Sequence, residues 1–218
     1  NEYPANGEPL ELAFTWNVIN PKLSLSLMKF EMIAKAIPYS EAQTMLAIPG
    51  NEGLKIVGSD YKELPAGTAD SAIVHVVKPL DGANFRLLLD GTQLETGLTA
   101  DGMLSFSQVI DETKTYTLEE LVAPFGYRPL LAPIPVRIAD YTSRPGFDGR
   151  IVVPVENKLA LGQISLSKYN LTTREAFSGV AFTLVGPSTN PKTYTGVTDP
   201  NGYIVWPDLP YGTYTLTE

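Results

Sequence analysis

Lys29, Glu120 and Asn157 are an amine, a carboxyl and a carboxamide that the sequence sets on otherwise apolar strand faces. Neighbouring side chains of a strand point to opposite sides, so Leu25, Leu27 and Lys29 share one face, with Ser24, Ser26 and Met28 on the other. The same parity puts Tyr116, Leu118 and Glu120 together and leaves Glu119 to solvent, while Ile151, Val153 and Val155 lead to Asn157. Taken singly, each has an ordinary role: a lysine snorkelling at a strand end, a glutamate in a surface pair, an asparagine capping a turn. Burying ionisable groups is expensive unless they compensate one another. Three together on inward faces point to groups that react with each other.

The pattern recurs. Leu25-Ser-Leu-Met-Lys29 matches Ile164-Ser-Leu-Ser-Lys168, and Tyr116-Thr-Leu-Glu-Glu120 matches Tyr214-Thr-Leu-Thr-Glu218. Between these landmarks, Gly82-Ala-Asn-Phe85 aligns with Gly179-Val-Ala-Phe182, and Thr96-Gly-Leu-Thr-Ala-Asp-Gly102 with Thr195-Gly-Val-Thr-Asp-Pro-Asn-Gly202. The order is the same in both copies, which is the mark of a tandem duplication. The first copy holds roughly 42 additional residues, about Met32 to Val77, too many for a structureless loop, so a subdomain or long excursion is expected there. Within it, Ala72 to Val77 reads as a strand, and only Phe30 to Leu46 has the character to carry a helix.

The 218 residues suit one large domain or two ordinary ones, and 44% hydrophobic content suffices for a packed core. Eighteen glycines and eighteen prolines, dispersed along the chain, punctuate many short segments and favour an all-β sandwich. A net charge of −8 without a basic run argues against nucleic acid and anionic membrane as partners. The absence of cysteine removes thiol catalysis, zinc–thiolate sites and disulfides. The only histidine, His75, reads as a half-buried strand residue, and Asp101-Gly102 and Asp199-Pro-Asn-Gly202 read as turns, not calcium loops.

At this level of detail the chain resembles the B-type repeats of collagen adhesins and the backbone pilins of Gram-positive bacteria, the CnaB-like domains. Tyr116-Thr-Leu-Glu-Glu120-Leu-Val-Ala-Pro-Phe-Gly-Tyr127 is similar to that family's E-box, and the lysine, Gly-x-x-Phe and asparagine strands extend the likeness over most of residues 21–218 outside the insertion. The resemblance implies tandem Ig-like, CnaB-type β-sandwich modules that form spontaneous isopeptide bonds. It casts Lys29 as nucleophile, Asn157 as acceptor and Glu120 as catalytic acid, with Lys168 and Glu218 in the same roles in the second copy. The physics is compatible: desolvation favours the neutral amine that attacks, and a protonated Glu120 would donate to the Asn157 carbonyl. Folding would supply the proximity. The reaction happens once, so no enzyme in the turnover sense is implied, and no cofactor or metal.

The expected organisation is a module over residues 21–158 and a second over 159–218 that lacks its last strand. Residues 1–20 look like such a strand, with Phe14, Trp16, Val18 and Asn20 alternating inward. They belong either to a preceding module of a longer array or, by strand exchange, to a neighbouring chain, where Asn20 would meet Lys168. The role expected is a cell-surface pilus shaft subunit or adhesin stalk, outside the cell, whose partners are other pilus or surface subunits. A ligand-binding head using residues 32–77 to recognise host matrix or glycan is the alternative.

Overall fold

The computed structural model describes residues 23–188 and 191–218. Along them run β1 (Ser24–Pro38), α1 (Tyr39–Leu46), β2 (Lys55–Val57), β3 (Ile73–Pro79), β4 (Asn84–Leu89), β5 (Thr92–Leu98), β6 (Met103–Phe106), β7 (Thr115–Val122), β8 (Ile134–Arg137), α2 (Ala139–Thr142) and β9 (Arg150–Glu156). There follow β10 (Leu161–Ser167), β11 (Ala181–Gly186), β12 (Lys192–Val197), β13 (Tyr203–Pro210) and β14 (Thr215–Thr217). The all-β sandwich expected from the sequence is the architecture found.

In the first unit β1 is the organising strand. Its N-terminal half pairs with β6 on one side and its C-terminal half with β3 on that same side, β2 lying beyond β3. On its other side β9 runs parallel to it, from Ser24 opposite Arg150 to Phe30 opposite Glu156. The facing sheet has the order β5-β4-β7-β8. Alternation then fills the space between the sheets: Leu25 and Leu27 from β1, Ile151, Val153 and Val155 from β9, Phe85 and Leu87 from β4, Tyr116 and Leu118 from β7.

The insertion covers the opposite face of β1. Met28 and Phe30, on the side shared with Ser24 and Ser26, are buried with Val57 and Val77. Ala42 of α1 packs on Val74 and Val76. The helical potential of residues 30–46 is realised only in Tyr39–Leu46, because Phe30–Pro38 prolongs β1 and takes β3 as its partner. This extension is bulged, with Ala36 at φ 56° and its N–H donated to His75 Nδ1 at 3.0 Å. His75 is more enclosed than half-buried: it is only 7% exposed and stacks on Tyr61.

The second unit pairs β10 with β13 and orders its other sheet β12-β11-β14. Its core is smaller, built from Phe182, Leu184, Ile204, Trp206 and Leu209 with Ile164 and Leu166 partly covered. The duplication is nevertheless legible at the level of single bonds. Thr99 Oγ1 donates to Leu80 O and accepts from Ala83 N–H; Thr198 Oγ1 donates to Phe177 O and accepts from Val180 N–H. Gly102 and Gly202, at φ 74° and 72°, accept the backbone N–H of Lys29 and Lys168 respectively. A Cβ on Gly102 would stand 2.9 Å from Lys29 O, and one on Gly202 2.3 Å from Lys168 O.

Candidate isopeptide site

Three elements meet at the candidate site. β1 presents Lys29 inward after Leu25 and Leu27, β7 presents Glu120 from the facing sheet, and Asn157 follows the last residue of β9. Asn157 is positioned by its own N–H, which donates to Phe30 O at 2.8 Å. Because β1 and β9 are parallel, the lysine and the asparagine arrive at the same end of the sandwich.

Lys29 Nζ donates to Asn157 Oδ1 at 2.7 Å and lies 2.8 Å from Glu120 Oε1. The Lys29 and Glu120 side chains are 0% and 1% exposed. Phe85, the β4 residue opposite Glu120, places its ring centroid 5.1 Å from the same nitrogen. Burial pushes the Lys29 amine below its ordinary range, opposed by the hydrogen-bonding and charge influence of Glu120.

The polar satisfaction of the site is incomplete. Glu120 Oε2 accepts the Leu130 N–H at 2.7 Å, while Oε1 touches the amine without hydrogen-bond geometry, and the buried Asn157 Nδ2 has no acceptor among the described residues. An orphaned amide nitrogen inside a core is unfavourable. It is also the atom that a condensation with Lys29 would expel. Glu120 contacts the amine and not, as the sequence led us to expect, the Asn157 carbonyl, an arrangement suited to moving a proton to and from Nζ.

The second copy brings together two of its three groups. Lys168 Nζ lies 2.6 Å from Glu218 Oε2, but the side chains are 34% and 53% exposed. Lys168, Leu216 and Glu218 are not enclosed as their counterparts are: Leu216 shares the face of its buried partner Leu184 yet is 40% exposed, because among the described residues no strand pairs with β10 on the side that β9 occupies beside β1. Asn20 lies outside the described residues. Sequence reasoning missed the Leu130 N–H, a backbone donor that no side-chain pattern announces. It also missed the close approach of the two glycines to the lysine backbones, for which the repeated turn was the available signal.

Comparison with known proteins bears on the fold. The family model for the SpaA prealbumin-like fold domain matches residues 75–145 and 162–218, more than half of the chain. The matched stretches contain Glu120, Lys168 and Glu218 but neither Lys29 nor Asn157. No curated protein sequence matches. Among solved structures, the Bacillus anthracis TIE protein aligns at 18% identity and a TM-score of 0.50 over 88% of this chain. The chain spans 44% of that structure's length. The shaft pilin SpaA of Lactobacillus rhamnosus GG aligns at 14% identity and a TM-score of 0.37 over 89% of this chain and 85% of its own. A streptococcal ancillary pilin aligns at 15% and 0.33, over 89% of this chain and 52% of its own. With its two-sheet units and its duplicated strand pattern, the chain belongs to the SpaA prealbumin-like fold domain family.

Proposed function

We propose that this chain is a structural part of a cell-surface fibre, a pilus shaft subunit or adhesin stalk, whose first module, residues 21–158, is closed by an amide between Lys29 and Asn157. The carrying observation is the 2.7 Å contact of a fully buried lysine with a carboxamide whose own nitrogen has no partner among the described residues. In the reaction a proton leaves Nζ for Glu120 Oε1, and the neutral amine attacks the Asn157 side-chain carbonyl carbon. A proton then passes to Nδ2, the bond from that carbon to Nδ2 breaks, and ammonia departs. Two polar groups that were poorly solvated become one neutral amide. Holding the partners in contact supplies a rate advantage of several powers of ten.

The loop so closed is worth about 5 kcal/mol on the chain-entropy treatment of crosslinks. The amide joins the first and last strands of the module, so tension along the fibre crosses it through a covalent bond. Intact mass under denaturing conditions tests the reading: a deficit of one ammonia, absent from Lys29→Ala relative to its own sequence mass, supports it, and a parent chain of full sequence mass rejects it.

Residues 159–218 form the second module on this reading. Strand exchange, with residues 1–20 of a neighbouring chain lying beside β10 and Asn20 reacting with Lys168, would link subunits head to tail. A covalent ladder on a denaturing gel supports that extension, and a single band removes it. A recognition role for the insertion has one observation in its favour: a cleft of about 760 Å³ lined by Asn51 and Leu54 of the insertion together with the exposed rings of Phe125 and Tyr211. Host-matrix binding that persists after trimming residues 32–77 would eliminate it.

A further inference from the structure

One residue in the loop after β7 reaches both β1, which carries Lys29, and the chain that follows Asn157. The Tyr127 hydroxyl donates to Glu31 Oε2 at 2.6 Å, and Glu31 stands two residues beyond Lys29 on β1. The Tyr127 backbone bridges to Leu159, two residues beyond Asn157. On either side, Arg128 N–H donates to Lys158 O and Ala160 N–H to Gly126 O, both at 2.9 Å. Three residues later Leu130 N–H holds Glu120 Oε2. A single short segment is thus tied to β1, to the chain leaving Asn157 and to the carboxyl.

We propose that Tyr127 is a positioning residue for the Lys29–Asn157 condensation, bracing β1 and the chain after β9 against each other beside the reacting atoms. The inference rests on the condensation proposed above. The need for a brace follows from the register: the parallel pairing of β1 with β9 ends at Phe30 and Glu156, so Asn157 lies just past the last pair, where its N–H to Phe30 O is the final backbone bond to β1. Strand ends fray, and an angstrom of drift between amine and carbonyl carbon costs orders of magnitude in rate. The ring beside Tyr127 does not anchor the loop in the sandwich, since Phe125 is 70% exposed. Burial and the Glu31 carboxylate both push the Tyr127 phenol up, so the hydroxyl remains a donor at any working pH. In the second unit the position of Glu31 is taken by Asn170, whose Oδ1 instead accepts from Thr172 and Thr173 N–H within its own turn.

The test is time-resolved intact mass of chains made by cell-free synthesis and quenched in denaturant. Tyr127→Phe and Glu31→Leu should slow ammonia loss by about tenfold to a hundredfold. Glu31→Gln, which keeps an acceptor for the hydroxyl, should react near the parent rate. Thermal unfolding of the same substitutions in the Lys29→Ala background gives the folded fraction, and the slowing should exceed anything that fraction accounts for. Parent-like rates for Tyr127→Phe, slowing that merely tracks the unfolded fraction, or Glu31→Gln as slow as Glu31→Leu would each overturn the role. A parent chain that loses no ammonia removes the condensation itself, and the role with it.

Discussion

Lys29 with Glu120 and Lys168 with Glu218 are the same two residue types at nearly the same separation, 2.8 Å and 2.6 Å. The first pair is sealed between two sheets and the second is open to water. The difference lies in what covers them. β9 closes one flank of β1 and delivers Asn157, whereas the described residues supply no equivalent beside β10. A lysine–glutamate contact in water is an ordinary surface pair. Enclosed, the amine is depressed by burial against the opposing influence of Glu120, and a carboxamide nitrogen is left without a partner among the described residues. In the proposed condensation, reactivity is a property of the enclosure, not of the pair.

The comparison breaks most visibly at the lysines. Lys29→Ala should restore the mass of one ammonia and remove the roughly 5 kcal/mol of loop closure. Calorimetry should show the first unit melting far earlier. Lys168→Ala should leave the mass deficit intact and change stability by less than about 1 kcal/mol. Equal effects of the two would mean that burial does not set them apart.

Packing should follow the same division. Leu118→Ala, at a fully buried site, is expected to cost about 2–5 kcal/mol by denaturant titration. Leu216→Ala, at a site 40% exposed, should cost under roughly 1 kcal/mol. The glycine turns, by contrast, should behave alike. Gly102→Ala and Gly202→Ala each force a left-handed residue against a lysine carbonyl, and each should lose at least about 1 kcal/mol in its own unit.

The smallest effect concerns pH. Burial, with a lesser push from Lys35, holds His75 below its ordinary 6.5. Between that lowered value and 6.5 the unfolded chain binds more protons than the folded one, so stability grows with pH across the window and is lost as pH falls through it. Melting the parent and His75→Gln at pH 5 and 7.5 should show a steeper acid loss in the parent, confined to the first unit.

Much of this was legible in the residues, for a physical reason. Alternation is enforced by the pleat, so Leu25-Ser-Leu-Met-Lys29 and Tyr116-Thr-Leu-Glu-Glu120 announced their inward members directly. The duplication, the turns and the strand at Ala72–Val77 were carried by local patterns of the same kind. Met28 was not legible as buried, because its cover comes from Val57 and Val77 in an excursion whose docking no local pattern encodes. The exposure of Glu218 was equally hidden: parity tells which way a side chain points, but only the neighbouring strand decides whether anything lies there. Contacts made by backbone groups, such as Leu130 N–H on Glu120, leave no trace in residue identity.

The parallel run of β1 beside β9 has a consequence for how the proposed fibre would stretch. With the amide closed, everything from Phe30 to Glu156 is hidden length, on the order of 400 Å of backbone at full extension that pulling on the ends cannot draw out. The insertion hangs within that silent contour. Whatever its surface meets, it presents the same shape whether the fibre is slack or taut.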